Sequence, residues 1–176
     1  MPQERGLTRG KELADLLTLS RIFIAAVILV AALRRDEQLL VRVVLLTMVG
    51  WTTDILDGRL ASADSASRKT WIGDHEFVVD MLMVYAGMVY FMLAGFVPVL
   101  PFALYAIFSA AVARIWMRKS YTMAVAAPVV AMPLIFSFSQ APLLAWIFLG
   151  WIVLALGLFW SRFKELVRGF IEGVER

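Results

Sequence analysis

The sequence contains six apolar stretches, each close to the roughly 20 residues that a helix needs to cross the hydrocarbon core of a membrane. They are Leu16–Leu33, Leu39–Leu56, Phe77–Ala94, Val97–Met117, Tyr121–Phe138 and Pro142–Trp160. Backbone groups cannot stay unpaired in lipid, and these runs lack the short alternation of barrel strands, so each is predicted to be a helix. Only 18% of the 176 residues are charged and 61% are hydrophobic, which is unlike a soluble domain. We therefore predict an all-α membrane protein with a single domain over residues 1–176.

Both ends of the chain are predicted to form short interfacial helices. Residues 162–174 repeat apolar positions at helical spacing with basic residues between them, which is typical of a helix lying on the membrane surface. Residues 1–14 form a polar lead-in that contacts the membrane through Leu7 and Leu13. The first span is expected to stay in the protein, because its apolar core is longer than that of a signal peptide.

The basic residues predict the orientation of the chain. If the N-terminus lies inside and every predicted span crosses the membrane, 14 of the 17 Lys and Arg residues fall at the inner face. The exceptions are Arg34, Arg35 and Arg42. Such a bias is typical of cytoplasmic flanks, so both termini are predicted to be cytoplasmic, in a cell (inner) membrane. Anionic headgroups account for a pI near 9.5, and no nucleic-acid partner is needed. The chain has no cysteine and therefore no thiolate metal site.

Acidic and very small residues share one face at the end of the second span. Asp54, Asp57, Gly58 and Ala61 are spaced i, i+3, i+4 and i+7, so they lie on one side of a helix. Two carboxylates followed by two positions almost without side chains form a pocket where a bulky ligand can approach the backbone. Carboxylates in a membrane helix are costly and indicate function.

Two more carboxylates, Glu76 and Asp80, share a face at the start of the third span. The connecting loop is short enough to make the two helices neighbours, so they are expected to converge with Asp54 and Asp57. Four such anions repel one another unless cations compensate, and all-oxygen ligands favour Mg²⁺ or Mn²⁺. Two such ions about 3.5–4 Å apart are the usual clamp for displacement at phosphorus. The cluster thus predicts metal-assisted phosphoryl chemistry.

The stretch from Asp54 to Ala61 resembles the start of the signature of the CDP-alcohol phosphotransferase (CDP-alcohol phosphatidyltransferase) family. That signature reads D-x2-D-G-x2-A-R, then about eight or nine residues, then G-x3-D-x3-D. The matching residues are Asp54, Asp57, Gly58, Ala61 and, as the last aspartate, Asp80. The six predicted spans also resemble that family, so the likeness extends over essentially the whole chain.

A second, shorter likeness lies at the start of the first span. Asp15-x2-Thr18-x2-Arg21 is similar to the N-x2-T-x2-R entry to the family's first helix.

The resemblance implies a role in phospholipid biosynthesis: transfer of a phosphatidyl group from a CDP-linked lipid, such as CDP-diacylglycerol, to an acceptor alcohol, with release of CMP. It implies that Asp80 is the catalytic base and that two divalent cations, Mg²⁺ or Mn²⁺, are held by Asp54, Asp57, Glu76 and Asp80. Residues expected to contact the CDP-linked substrate are Gly58, Ala61, Thr18, Arg21 and Arg68. The candidates for binding a phosphate group of the acceptor are Arg114, Arg118 and Lys119. The resemblance also implies a homodimer.

The sequence departs from the signature at three positions. Ser62 replaces the arginine, Ile72 stands at the glycine position, and Glu76 replaces the third aspartate. A catalytically weakened homologue with a structural or regulatory role is therefore one alternative. A small cation transporter is another, although transporters usually place carboxylates near the midplane between repeats, and the sequence shows no repeat.

Several of these residues also have plainer interpretations. Asp54 and Asp57 are also explained as helix caps or as partners of Arg59 and Arg68, and Glu76 and Asp80 as acids favoured by a helix N-terminus. In the plainer interpretation, Thr18 and Arg21 serve only as interfacial anchors. The positive-inside bias equally explains Arg114, Arg118 and Lys119.

Overall fold

The computed structural model describes residues 4–63, 75–116 and 119–175, and most of these residues are helical. Side chains are described at 13–57, 75–112, 114–115, 120–161, 163–165 and 167–171. The helices are α1 (Glu4–Leu33), a 3-10 turn (Glu37–Leu39), α2 (Leu40–Ala63), α3 (Glu76–Leu93), α4 (Val99–Trp116), α5 (Lys119–Gln140), α6 (Pro142–Leu158) and α7 (Trp160–Glu175). Within these ranges there is no strand, so the all-α prediction is confirmed.

Within the described residues, four helical segments are long and apolar enough to cross a membrane. They are Leu13–Leu33, Glu37–Asp57, Glu76–Leu93 and Ser120–Gln140, and α6 with α7 adds a fifth if that bent pair is one span. Each of the six predicted spans overlaps a helix, but not every described helix is long enough. The 17 residues of α6 reach only about 26 Å, and the apolar part of α4 is shorter still.

The two ends of the chain differ from each other. The lead-in at residues 4–14 is not a separate interfacial helix, because α1 continues through it without a break for 30 residues. At the other end, α7 is a strongly amphipathic helix of its own, and it turns by 87° from the direction of α6.

α1 is the central helix of the part that positions the candidate site, because it packs along both α2 and α3. Six of its buried residues recur every three or four positions in a single stripe: Ala14, Thr18, Arg21, Ala25, Ile28 and Ala32. Buried Ile24 lies beside this stripe. Small residues in such a stripe let helix backbones approach closely, which is the main source of packing energy between helices in lipid. The stripe therefore brings two neighbours against one helix and places a charged residue between them.

Aromatic side chains hold the other helices against this unit. Phe91 of α3 stacks on Phe136 of α5 with ring centroids 5.2 Å apart, and Trp51 of α2 contacts Phe148 of α6 at 5.4 Å. Such pairs add about 0.5–1.5 kcal/mol each beyond the area that they bury.

Tyrosine hydroxyls add hydrogen bonds between the helices. Tyr90 donates to the carbonyl of Asp36 at 3.1 Å, and Tyr105 of α4 donates to the carbonyl of Val125 in α5 at 2.5 Å. The second bond lies within one turn of Pro128, which has no amide hydrogen to donate. The helix α5 continues through Pro128 without a break.

Gly50 of α2 packs against the side chain of Met83 in α3. A Cβ atom built at Gly50 would overlap the sulfur of Met83, whereas one built at Gly87 meets no heavy atom within 4 Å. We expect Gly50→Ala to lower the free energy of unfolding by about 1 kcal/mol, because the flexible Met83 must move aside. Gly87→Ala is the matched control and should be neutral or slightly stabilising. Equal effects of the two substitutions on unfolding in mixed micelles would contradict this packing.

Candidate functional site

A fully buried arginine lies at the centre of the predicted carboxylate cluster. The guanidinium of Arg21 bonds Asp57 of α2 through Nη2, and Asp80 of α3 through Nη1. Nη1 also lies 2.6 Å from Oδ1 of Asp54, and Nη2 lies 3.8 Å from Oε1 of Glu76. A guanidinium presents donors in a rigid planar fork, so one side chain reaches carboxylates on two helices at once. The four acids therefore converge, as predicted, but they do so around a cation from a third helix.

Thr18 completes the buried part of the cluster. It lies one turn before Arg21 on the same face of α1, so both side chains point to the same place. Its Oγ1 accepts a hydrogen bond from Nη2 of Arg21 at 3.1 Å and lies 3.2 Å from Oδ2 of Asp57. The hydroxyl thus fixes the relative positions of the guanidinium and the most deeply buried carboxylate.

The position of α1 corrects one detail of the prediction. The second and third spans were expected to be neighbours, and α2 and α3 do contact each other, but each packs far more extensively along α1. Their carboxylates meet because both helices lie against the same stripe of α1.

The cluster is closed on one side and open on the other. The side chain of Asp57 is only 2% exposed, whereas those of Asp54, Glu76 and Asp80 are 44%, 39% and 30% exposed. Asp54 and Asp57 lie in the last three turns of α2, and Glu76 begins α3. The open side therefore lies at one end of these spans and is accessible to a polar ligand.

Three of the carboxylates have a geometry that fits a divalent cation. One oxygen each from Asp54, Asp57 and Glu76 lies within 4.8 Å of the others. Among the described side chains, Oδ1 of Asp57 is buried without a hydrogen-bond partner. Oxygen donors of this kind suit Mg²⁺ or Mn²⁺. Asp80, predicted as a fourth ligand, is not part of this group, and a second ion stays a prediction.

The charge balance of the site also favours a further cation. Arg21 offsets one of the four negative charges that surround it when all the carboxylates are ionised. Among the described side chains the cluster therefore keeps an excess of negative charge, and unbalanced charge buried in a membrane protein is costly.

Other predicted substrate contacts are only partly described. Gly58 and Ala61 lie in the last turns of α2, but their surroundings are outside the described side chains, and Arg68 is outside the described residues altogether. The departures Ser62 and Ile72 are not described at the side-chain level either.

The predicted acceptor-binding residues stay untested as a group. Arg114 is exposed in the last turn of α4. Lys119 begins α5, but its side chain is outside the described set, and Arg118 is outside the described residues. Half-buried His75 directly precedes α3.

One plainer interpretation is wrong. Thr18 and Arg21 are not interfacial anchors, because they are 4% and 0% exposed and bond to acids of the cluster.

The central role of Arg21 was missed in the sequence, although a signal was present. An arginine about two turns into an apolar span needs partners, and Thr18 and Arg21 occupy the same stripe as three alanines.

Comparison of the chain with protein-family models, with curated proteins and with solved structures found no significant match. The function of the site is therefore argued from its own residues, and the family resemblance of the motif stays a prediction.

The pairing of Arg21 predicts a large effect on stability. Arg21→Met should lower the free energy of unfolding by about 3–5 kcal/mol in metal-free buffer, because it leaves buried Asp57 without its counter-ion. Arg42→Met is the matched control, since Arg42 is exposed on α2 near the other end of that helix. Unfolding in mixed micelles measures both. Similar small effects of the two substitutions would contradict the pairing.

Proposed function

We propose that the protein is a membrane enzyme that transfers a phosphatidyl or other substituted phosphate group from a CDP-linked lipid to an acceptor alcohol and releases CMP. The observation that carries the proposal is the convergence of four carboxylates on one open-sided cluster at the end of two apolar helices. Three of them have the spacing of ligands to a divalent cation. The likeness of the segment around Asp54 to the CDP-alcohol phosphotransferase signature supports the same reaction class.

The proposed ligands of a divalent cation are Asp54, Asp57 and Glu76, with Asp80 as a candidate for sharing a second ion. When bound, Mg²⁺ or Mn²⁺ supplies positive charge that offsets the diphosphate of the substrate and the departing CMP.

Asp80 is the proposed general base. Its side chain is 30% exposed, so an acceptor hydroxyl can approach it, and its bond to Arg21 fixes the direction of the carboxylate. In the proposed step the Asp80 carboxylate takes the hydroxyl proton while the acceptor oxygen forms a new bond to the lipid-side phosphorus. The bond between that phosphorus and the bridging oxygen breaks, and CMP leaves. A positioned base typically contributes about 10²–10⁴-fold to the rate.

The location of the cluster suits a substrate that is part lipid. At the end of the spans, a diphosphate would meet the carboxylates while its acyl chains stay in the bilayer. CDP-diacylglycerol is the proposed donor, with the cytidine near Gly58 and Ala61.

The finer topology belongs to the same proposal. It comprises six membrane-crossing helices, cytoplasmic termini, a cytoplasmic site in the inner membrane and α7 on the membrane surface. The basic flanks of the spans support this orientation. A homodimer is proposed from the family resemblance alone.

Arg21 itself favours a second candidate function. A guanidinium that already bonds Asp54, Asp57 and Asp80 is also what a non-catalytic homologue would contain, in which an internal cation replaces bound metal. Such a protein would retain the helical framework for a structural or regulatory role. The transporter alternative has less support, because the carboxylates lie at one end of the spans.

Release of CMP separates the two candidates. The purified protein in lipid vesicles is given CDP-diacylglycerol, Mg²⁺ or Mn²⁺ and a panel of alcohols that includes glycerol 3-phosphate, serine and inositol phosphates. We expect metal-dependent CMP release with at least one alcohol. Asp80→Asn and Asp57→Asn should each reduce it by about 100-fold or more, since they remove the base and a ligand.

The matched control is Glu37→Gln, which removes an exposed carboxylate in the 3-10 turn between α1 and α2 and should leave CMP release unchanged. No CMP with any alcohol, from folded protein, would contradict the enzymatic proposal and favour the non-catalytic homologue. Equal activity of Asp57→Asn and Glu37→Gln would show that the cluster is not the site.

A further inference from the structure

The Arg21 guanidinium and the candidate metal position involve the same carboxylates. Of the three carboxylates spaced for a divalent cation, Asp54 and Asp57 are hydrogen-bonded to Arg21. The third, Glu76, lies 3.8 Å from Nη2 of the same guanidinium. Two cations so close together repel each other, and their repulsion is stronger in a partly buried site than in water.

Asp80 has a different relation to the guanidinium. It bonds Nη1 of Arg21 but lies outside the three-carboxylate group. Arg21 therefore keeps a partner on α3, and the hydroxyl of Thr18 on its own helix, if it releases the two carboxylates of α2.

We infer that Arg21 is an internal counter-ion that competes with a divalent cation for Asp54 and Asp57, so that metal binding releases the guanidinium from α2 and leaves it on Asp80. This inference concerns the regulation of the proposed active site and rests on the proposed function only for the presence of a metal there. Arg21 is in this role a positioning residue.

Competition has two physical consequences. The wild-type cluster keeps a cation with or without metal, so the folded protein needs metal less, and a given metal concentration stabilises it less than it would stabilise the cluster without the arginine. Its affinity for metal is lower than that of the same carboxylates without the arginine, because binding must displace an ion pair. Because the affinity is lowered, the occupancy of the site can vary with the metal concentration. The helices α1, α2 and α3 stay assembled while the site is free of metal.

The experiment compares wild-type protein with Arg21→Gln and Arg21→Lys in lipid nanodiscs. Binding of Mn²⁺ is measured by electron paramagnetic resonance, and thermal unfolding is measured with and without Mn²⁺. We expect the affinity of Arg21→Gln for Mn²⁺ to exceed that of the wild type by at least about tenfold, since a unit positive charge a few Å from the ion is gone. Its unfolding temperature should be low without Mn²⁺, and at a given Mn²⁺ concentration it should rise more than that of the wild type.

Arg21→Lys keeps the charge, but its compact ammonium cannot span α2 and α3 as a planar fork does. Its Mn²⁺ affinity should therefore fall between those of the other two proteins. This variant decides the matter even if Arg21→Gln does not fold, because an affinity equal to that of the wild type overturns the inference. Arg42→Gln, which removes an exposed charge from α2, should change neither measurement.

Unchanged or weaker Mn²⁺ binding in Arg21→Gln would overturn the inference, as would the absence of Mn²⁺ binding in all variants. Neither readout requires catalysis. A protein that binds Mn²⁺ with the expected order of affinities but releases no CMP would retain this inference and lose the proposed function.

Discussion

The described part of the site depends on one buried interaction, the pairing of Arg21 in α1 with carboxylates of α2 and α3. A membrane offers no water to a charge in this position, so the arginine is compatible with an apolar span only if acids surround it. Asp57, as a buried acid, likewise needs a cation beside it. Removing either partner leaves an uncompensated buried charge, and such losses typically cost several kcal/mol. The pair therefore fixes where α2 and α3 lie along α1, and alanines of the α1 stripe let both helices approach closely.

The same pairing explains why the cluster is a good candidate for chemistry. Only Asp57 is deeply buried, and the other three carboxylates face an open side at the end of the spans. One guanidinium offsets one of the four charges, and the proposed function requires the site to bind a divalent cation together with a substrate that brings one. A lipid diphosphate meets these conditions, because its charged part requires cations and its acyl chains require the bilayer that surrounds the helices. The location at an edge, and not at the midplane, favours group transfer on a lipid over cation transport.

Much of this arrangement is predictable from the sequence. Long apolar runs predict the helices, and the spacing of Asp54, Asp57, Glu76 and Asp80 predicts their convergence, because both follow from helix geometry alone. The role of Arg21 and the placement of α1 between α2 and α3 did not follow in the same way. Both depend on which helices pack together, and apolar patterns do not specify this when every face of a span is apolar. Six spans were predicted where four or five have the required helix length, because apolar runs continue past the ends of helices such as α6.

A double-mutant cycle tests the central pairing most directly. The free energy of unfolding is measured for Arg21→Met, Asp57→Asn, Asp80→Asn and the two doubles that contain Arg21→Met, all in metal-free buffer. If Arg21 joins α2 to α3, both pairs show coupling energies of about 1 kcal/mol or more, because each single change removes most of the same interaction. Additive effects for both pairs would mean that Arg21 contacts neither acid, and they would contradict a site organised around this arginine.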